Sequence, residues 1–309
     1  MAQTAARKPP RLKPGDTVRM VSPASAPGRG HIAEATAYLE SLGLRVQLGR
    51  HAFDKFGYLA GKDEDRLEDL NDAIRDPQVD AILATRGGKG AYRIADRMDF
   101  EAMRAHPKLL IGFSEITILH LALYKHCRIA SLHGASWTES FSRVSTASLA
   151  QAMCRTEAIT LEMNRGEATS ELTTRGATKG RLLGGNQDMI ATANGWMMPD
   201  LDDAILLLEA FNLRIGHIDR QLTMLRNSGC LDSLAGIAIG QYTQCGTPNP
   251  DSEDWTPVEV LRDRLGGLGI PILGGLPVGH GANPIAVPLG TEALLDADAG
   301  KLIVESGVA

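Results

Sequence analysis

Cysteine is scarce in this 309-residue chain: Cys127, Cys154, Cys230 and Cys245 are the only four. They are far apart and never form Cys-x-x-Cys, so neither a disulfide framework nor a zinc knuckle is expected, and reduced thiols are the plain reading. Long apolar runs are also missing. None approaches the ~18 residues needed to cross a bilayer, so no membrane span is expected. The opening residues, MAQTAARKPPRLKPGD, carry positive charge but no apolar segment after it. No export signal is read there, and a cytoplasmic location is expected. Charge of one sign does not dominate either: 32 Lys and Arg stand against 37 Asp and Glu, a formal balance of −5. Aromatics make up 5% and do not interleave with a basic run. Nothing therefore tracks a phosphate backbone, and nucleic acid is set aside as a partner.

What is present is an ordinary globular composition, 43% hydrophobic and 22% charged, with 33 glycines for tight turns. The length suits two modest domains. In the first half, short apolar segments alternate with helical periodicity. Strands are expected at 17–22, 45–48, 81–85, 109–113 and 129–132, and helices at 32–42, 63–74, 91–98 and 116–125. Such alternation predicts an α/β fold, a Rossmann-like parallel sheet with helices on both faces. From about residue 143 to 178 the pattern weakens. Residues 148–154 read as helical and the rest as a connector. Beyond it, strands at 180–183, 205–208, 234–239, 272–273, 293–296 and 302–305 are broken by helices at 218–227 and 257–265. A smaller β-rich C-terminal domain is therefore expected, with a boundary near residue 165 dividing 1–165 from 166–309. There is no internal repeat.

Sites in parallel sheets gather at the carboxyl ends of strands. Two segments sit there. The first is LLIGF running into Ser114, with a helical pattern starting at once beyond it. A serine on so sharp a strand-to-helix turn has the placement of an activated nucleophile, or of a helix cap; Gly112 is present, but Ile116 stands where a full nucleophile elbow has its second glycine. The second segment is TRGGKGAYR at 85–93, whose glycines let the backbone come close to another segment. The Gly88 N–H and the Glu115 N–H are the candidate oxyanion donors. A phosphate-cradling loop is the competing reading, but neither GxGxxG nor GxxxxGK[ST] is matched. Of eight histidines, His280 stands out in GLPVGHGANP, a strand end with glycine on both sides, as a candidate base or a surface-loop histidine. Glu209 ends the apolar strand AILLL and is a candidate orienting acid or simply the first solvated residue after it.

Taken in order, GDTVRMVSPAS, GKDEDRLEDLN, TRGGKGAYR, IGFSEIT, LHG at 132–134, GRLLGGN at 180–186, LLLE at 206–209, IDRQLTML at 218–225 and PVGHG at 277–281 resemble the motifs of the LD-carboxypeptidase family of serine peptidases over nearly the whole chain. The resemblance implies Ser114 as nucleophile, His280 as general base, Glu209 as its orienting acid, and the Gly88 and Glu115 amides as the oxyanion hole. It implies a homodimer with its active site between two domains and no cofactor or metal. It also implies hydrolysis of an L,D-bond to release a terminal D-residue, as when a murein tetrapeptide loses D-Ala, with some relatives cleaving peptide-nucleotide antibiotics of the microcin C type. Arg86 and Lys89 are the candidate substrate-binding residues. The chain departs from the family pattern at Glu115, commonly Asp, at Lys89, in place of a tyrosine, and at Ala210, where an acid often follows the glutamate. A non-catalytic module binding a small ligand is the expectation from a different class, since fold does not fix function.

Overall fold

The computed structural model describes residues 6–134, 142–246 and 255–309; residues 1–5 of the N-terminal segment discussed above lie outside them. In chain order the strands are β1 (Thr17–Val21), β2 (Arg45–Leu48), β3 (Ala81–Ala84), β4 (Leu109–Gly112), β5 (Ser131–His133), β6 (Ile159–Glu162), β7 (Ala177–Asn186), β8 (Ala204–Phe211), β9 (Gly236–Thr243), β10 (Ile272–Leu273), β11 (Val287–Leu289), β12 (Glu292–Asp296) and β13 (Lys301–Val304). The helices are α1 (Arg29–Ser41), α2 (Asp63–Arg75), α3 (Phe100–Ala105), α4 (Thr117–Cys127), α5 (Arg143–Cys154), α6 (Gln187–Ala193), α7 (Ile215–Asn227) and α8 (Pro257–Leu265).

Two sheets form. The first has six strands in the order β11-β5-β4-β3-β1-β2, parallel except for β11, and the second has seven in the order β10-β9-β8-β7-β12-β13-β6. In the second sheet β7 to β10 are parallel, while β12, β13 and β6 add antiparallel strands. The α/β architecture read from the alternation is the one observed.

The apolar strands bury both faces. Along β8, Leu206 and Leu208 enter one hydrophobic cluster and Ile205 and Leu207 the other, as a period of two dictates. The first cluster also contains Leu110, Leu119, Ile190 and Leu222, and the second Leu83, Ile111, Leu132 and Val287. Each cluster therefore draws on both sheets, which makes the two halves one packed unit. α4 is buried all round except at Lys125, His126 and nearby turn residues, as befits a core helix. α7 buries only Ile218, Leu222 and Leu225, one stripe of an amphipathic helix. α8 starts with Thr256 and Glu259 bonding each other's backbone and with Pro257 in the first turn. Among the described residues no helix is long and apolar enough to cross a membrane.

Several elements differ from the sequence expectation. The segment read as a helix at 91–98 forms two single 3-10 turns, Ala91–Arg93 and Ala95–Arg97, closed by Ile94 N–H donating to Ala91 O and Arg97 N–H to Ile94 O (both 3.1 Å), with Ile94 (φ −125°) interrupting the helical backbone between them. The stretch read as a connector contains β6, a four-residue edge strand with only two buried positions, too short for periodicity to reveal. β11 contains Pro288, which lacks an N–H and fits an edge strand.

Candidate active site

β4 is wholly buried, and Phe113 continues it in extended conformation (φ −148°) before Ser114 reverses to φ 59°. A non-glycine residue in the left-handed region is strained by roughly 1–3 kcal/mol and persists where its surroundings dictate it. Here the following 3-10 turn, Ser114–Ile116, feeds directly into α4. Ile116 replaces the second elbow glycine by packing onto Gly112: a Cβ at Gly112 would lie 2.4 Å from Ile116 Cγ2. One glycine opens the room that the other usually supplies.

The glycine loop after β3 closes on this turn. A Cβ at Gly87 would stand 2.9 Å from both Phe113 O and Ser114 Cβ, so the approach needs glycine. The loop is fastened by Ser25, whose N–H donates to Gly87 O (3.2 Å) and whose Oγ accepts from Lys89 N (3.0 Å). Its other anchor is Glu115, 2% exposed, with Oε1 accepting from Gly90 N (2.7 Å) and Ala91 N (3.1 Å). Burial pushes the Glu115 carboxyl up to about 7, against the amides and Lys89, which pull it down. Among the described residues neither the Gly88 nor the Glu115 N–H has an acceptor, which leaves both amides open for a ligand oxygen.

Glu209 and His280 meet across 71 positions of sequence. His280 Nδ1 lies 2.7 Å from Glu209 Oε2. β8 changes register against β9 between Leu208 and Ala210, and Glu209 and Ala210 are fully buried like the residues before them in this strand, which is covered on both faces. Asn186, paired with Glu209 in the β7–β8 ladder, donates from Nδ2 to Glu209 Oε1 (2.9 Å), while its own Oδ1 caps α6 at Asp188 N. Burial alone would raise the Glu209 carboxyl, but His280, through charge and hydrogen bond, together with His133 and Asn186, outweighs it and holds it below the usual carboxylate value. The His280 ring rests on Phe113 (centroids 4.4 Å apart) and stacks on Phe211 (4.7 Å, 18° between planes). The imidazole is thereby brought to the residue that precedes Ser114; the described contacts include no hydrogen bond between Ser114 and His280 themselves. Catalytic hydrogen bonds in unliganded sites are often long and tighten with substrate.

Two further histidines lie beneath the turn. Burial lowers His120 to about 3 and His133 to about 4, so both are neutral imidazoles at pH 7. His120 faces Gly112 O at 3.2 Å, and both nitrogens of His133 lack a partner among the described residues. At the rim, Arg86 bonds Ala26 O at 3.3 Å, and Lys89 Nζ pairs with Asp188 Oδ2 at 3.1 Å, a contact from the loop of the first sheet to α6 of the second. The sequence reading did not single out Asn186, Asp188, Phe113 or Phe211. Asn186 ends the quoted GRLLGGN motif, and pairing β7 with β8 would have placed it beside Glu209; the aromatic contacts leave no local signal. One cluster with metal-ligand chemistry exists among the described residues, His51, Asp54 and Asp65, with ligand atoms within 4.8 Å. His51 Nδ1 is already engaged by Asp54 at 2.8 Å.

Residues 18–134 match the LD-carboxypeptidase N-terminal domain and residues 179–295 the LD-carboxypeptidase C-terminal domain. The chain is 34% identical to a probable murein peptide carboxypeptidase of Bacillus subtilis, covering 97% of this chain and 95% of that one. It is 30% identical to the murein tetrapeptide carboxypeptidase of Pseudomonas aeruginosa over 90% and 92%. In fold it superposes with a TM-score of 0.86 on MccF, a microcin C7 self-immunity protein, solved in complex with glutamyl sulfamoyl guanosine, at 22% identity over 98% and 99% of the two chains. Two matched domains and relatives aligned nearly end to end establish that the chain belongs to the LD-carboxypeptidase family.

Proposed function

We propose that the protein is a serine LD-carboxypeptidase that hydrolyses an L,D-peptide bond and releases a C-terminal D-amino acid, D-Ala, from murein tetrapeptides in the cytoplasm, and that it works as a homodimer. The observation that carries the reading is the buried Glu209–His280 pair at 2.7 Å, with the imidazole resting on Phe113 beside the strained Ser114 turn. Labour divides near residue 165: the nucleophile and oxyanion amides come from residues 1–165, the acid and base from 166–309.

In this mechanism Ser114 Oγ attacks the scissile carbonyl as His280 Nε2 accepts its proton. The carbonyl oxygen becomes an oxyanion held by the Gly88 and Glu115 N–H groups, each worth roughly 3 kcal/mol in the transition state. Collapse breaks the C–N bond, and His280 returns the proton to the departing D-amino acid. Water then gives a proton to His280 and its oxygen to the acyl carbon, and collapse breaks the C–Oγ bond as His280 returns that proton to Ser114 Oγ. Glu209 stays ionised, fixes Nδ1 as the protonated nitrogen, and stabilises the imidazolium. Arg86 and Lys89 receive the terminal carboxylate. Ser114→Ala is expected to reduce D-Ala release, followed by mass spectrometry, by on the order of 10⁴-fold or more; undiminished release refutes the assignment.

A second reading is favoured by the MccF likeness and by Lys89 at the position of the family's tyrosine: cleavage of a peptide-nucleotide conjugate. Offering a murein tetrapeptide and an aminoacyl sulfamoyl nucleoside side by side separates the two. A non-catalytic ligand-binding module is separated from both by a fluorophosphonate, which labels Ser114 only if the serine is activated.

A further inference from the structure

His280 sits between two glycines in a loop closed by Ile285 N–H donating to Pro277 O (2.8 Å). That loop is tied through Gln241, whose Oε1 accepts from Gly281 N (2.9 Å) and whose Nε2 donates to Ala282 O (3.4 Å). Both ties fix backbone and leave the imidazole free. The Glu209 bond fixes one ring atom, Nδ1, but not the plane of the ring, and the histidine torsion that turns that plane has a broad, shallow profile. Two rings supply the missing restraint, one from each sheet: Phe113 follows β4, and Phe211 is the last residue of β8. Of the two, Phe211 is nearly coplanar with the imidazole, 18° against 46° for Phe113. It is also 41% exposed, and among the described residues its one ring contact is with His280. Phe211 is the one exposed residue of the otherwise buried β8, just past the register shift between Leu208 and Ala210.

We propose that Phe211 is a positioning residue for the reaction: by stacking on His280 it fixes the plane of the base, so that Glu209 sets the tautomer and Phe211 sets the direction in which Nε2 points. Offset stacking is the arrangement aromatic rings favour, and a flat side chain restrains a plane where an aliphatic one of similar volume only fills space. The inference rests on His280 being the base. Phe211 touches neither substrate nor the reacting atoms in this role; it acts through His280.

The test uses the full chain with Phe211→Ala, Phe211→Leu and Phe211→Tyr. Three readouts are taken: the solvent exchange of the downfield His280 Nδ1 proton by NMR, assigned with His280→Ala; the rate of Ser114 labelling by a fluorophosphonate, which needs the base but no peptide contacts; and kcat and KM on the tetrapeptide. Ala and Leu are expected to speed proton exchange and to slow both labelling and kcat about tenfold, with KM within about twofold, while Tyr restores all three. Leu behaving like Tyr, a raised KM with kcat and labelling intact, or no change in any variant would overturn the proposal. A wild-type chain that is not labelled at Ser114 refutes the nucleophile assignment instead, and the Nδ1 proton still reports whether Phe211 holds the ring.

Discussion

The turn at Ser114 and the loop at His280 solve the same problem, aiming one side chain, by opposite means. At Ser114 the aim is local: a buried strand, one left-handed residue and the first turn of α4 lie within a few positions of one another. At His280 it is borrowed: its carboxylate partner Glu209 comes from β8, that carboxylate's own partner from β7, and the stacked rings from the ends of β4 and β8. On the proposed mechanism, a nucleophile built into backbone geometry tolerates change in its neighbours' side chains but not in its backbone, and a base built from contacts has the reverse sensitivity.

The contrast is broken most sharply by Glu209→Gln. The amide keeps the shape and forfeits the charge that fixes the tautomer, so kcat is expected to fall by ~10⁴-fold with the fold retained, as measured by steady-state kinetics and circular dichroism. A loss below tenfold would mean that the base is oriented without its acid. Gly87→Ala tests the local side. Its Cβ meets backbone and the serine Cβ at 2.9 Å, atoms that cannot swing aside. The loop must retreat from the oxyanion position, and kcat is expected to drop roughly 10²-fold with little change in melting temperature; an unaltered kcat would show that the loop does not donate.

The smallest effect sharpens the comparison through Glu115, which belongs to the local device yet reaches to the loop. Its folded carboxyl titrates at about 7 against 4.5 when free, so the folded chain binds this proton more tightly than the unfolded one. The resulting stabilisation is complete below about pH 4.5 and is lost as pH rises through about 7. Glu115→Gln retains an acceptor for Gly90 and Ala91 without titrating. Melting temperatures of wild type minus variant are therefore expected to decline between pH 4.5 and 7 and to level off above; parallel curves would show that the carboxyl is not held in its protonated form.

The same division explains what could be read from the sequence. β3, β4 and α4 announce themselves because their apolar periods are continuous, and Ser114 is legible because a strand and a helix abut it. Glu209 and His280 were legible as residues at strand ends, and family motifs supplied their roles; their contact, the shift of register beside Glu209 and the Asn186 bond depend on pairings between strands that no short window contains. Residues 91–98 depart from the expected helix at Ile94, whose backbone (φ −125°) splits the segment into two 3-10 turns, a break that no change in apolar spacing marks. β6 escaped notice because two buried residues in four cannot be told from chance.

Shortly after His280 the chain leaves the second sheet and returns to the first, where β11 pairs antiparallel with β5, Val287 opposite His133. The imidazole thus hangs on a short span moored at both ends, with β10 in one sheet and β11 in the other. Expressing residues 1–165 alone would strip β5 of that neighbour and leave an apolar edge open to adhesion between copies. An engineer wishing to exchange the second half of this molecule for that of a relative would therefore have to carry the returning strand along, or supply another to seal the seam.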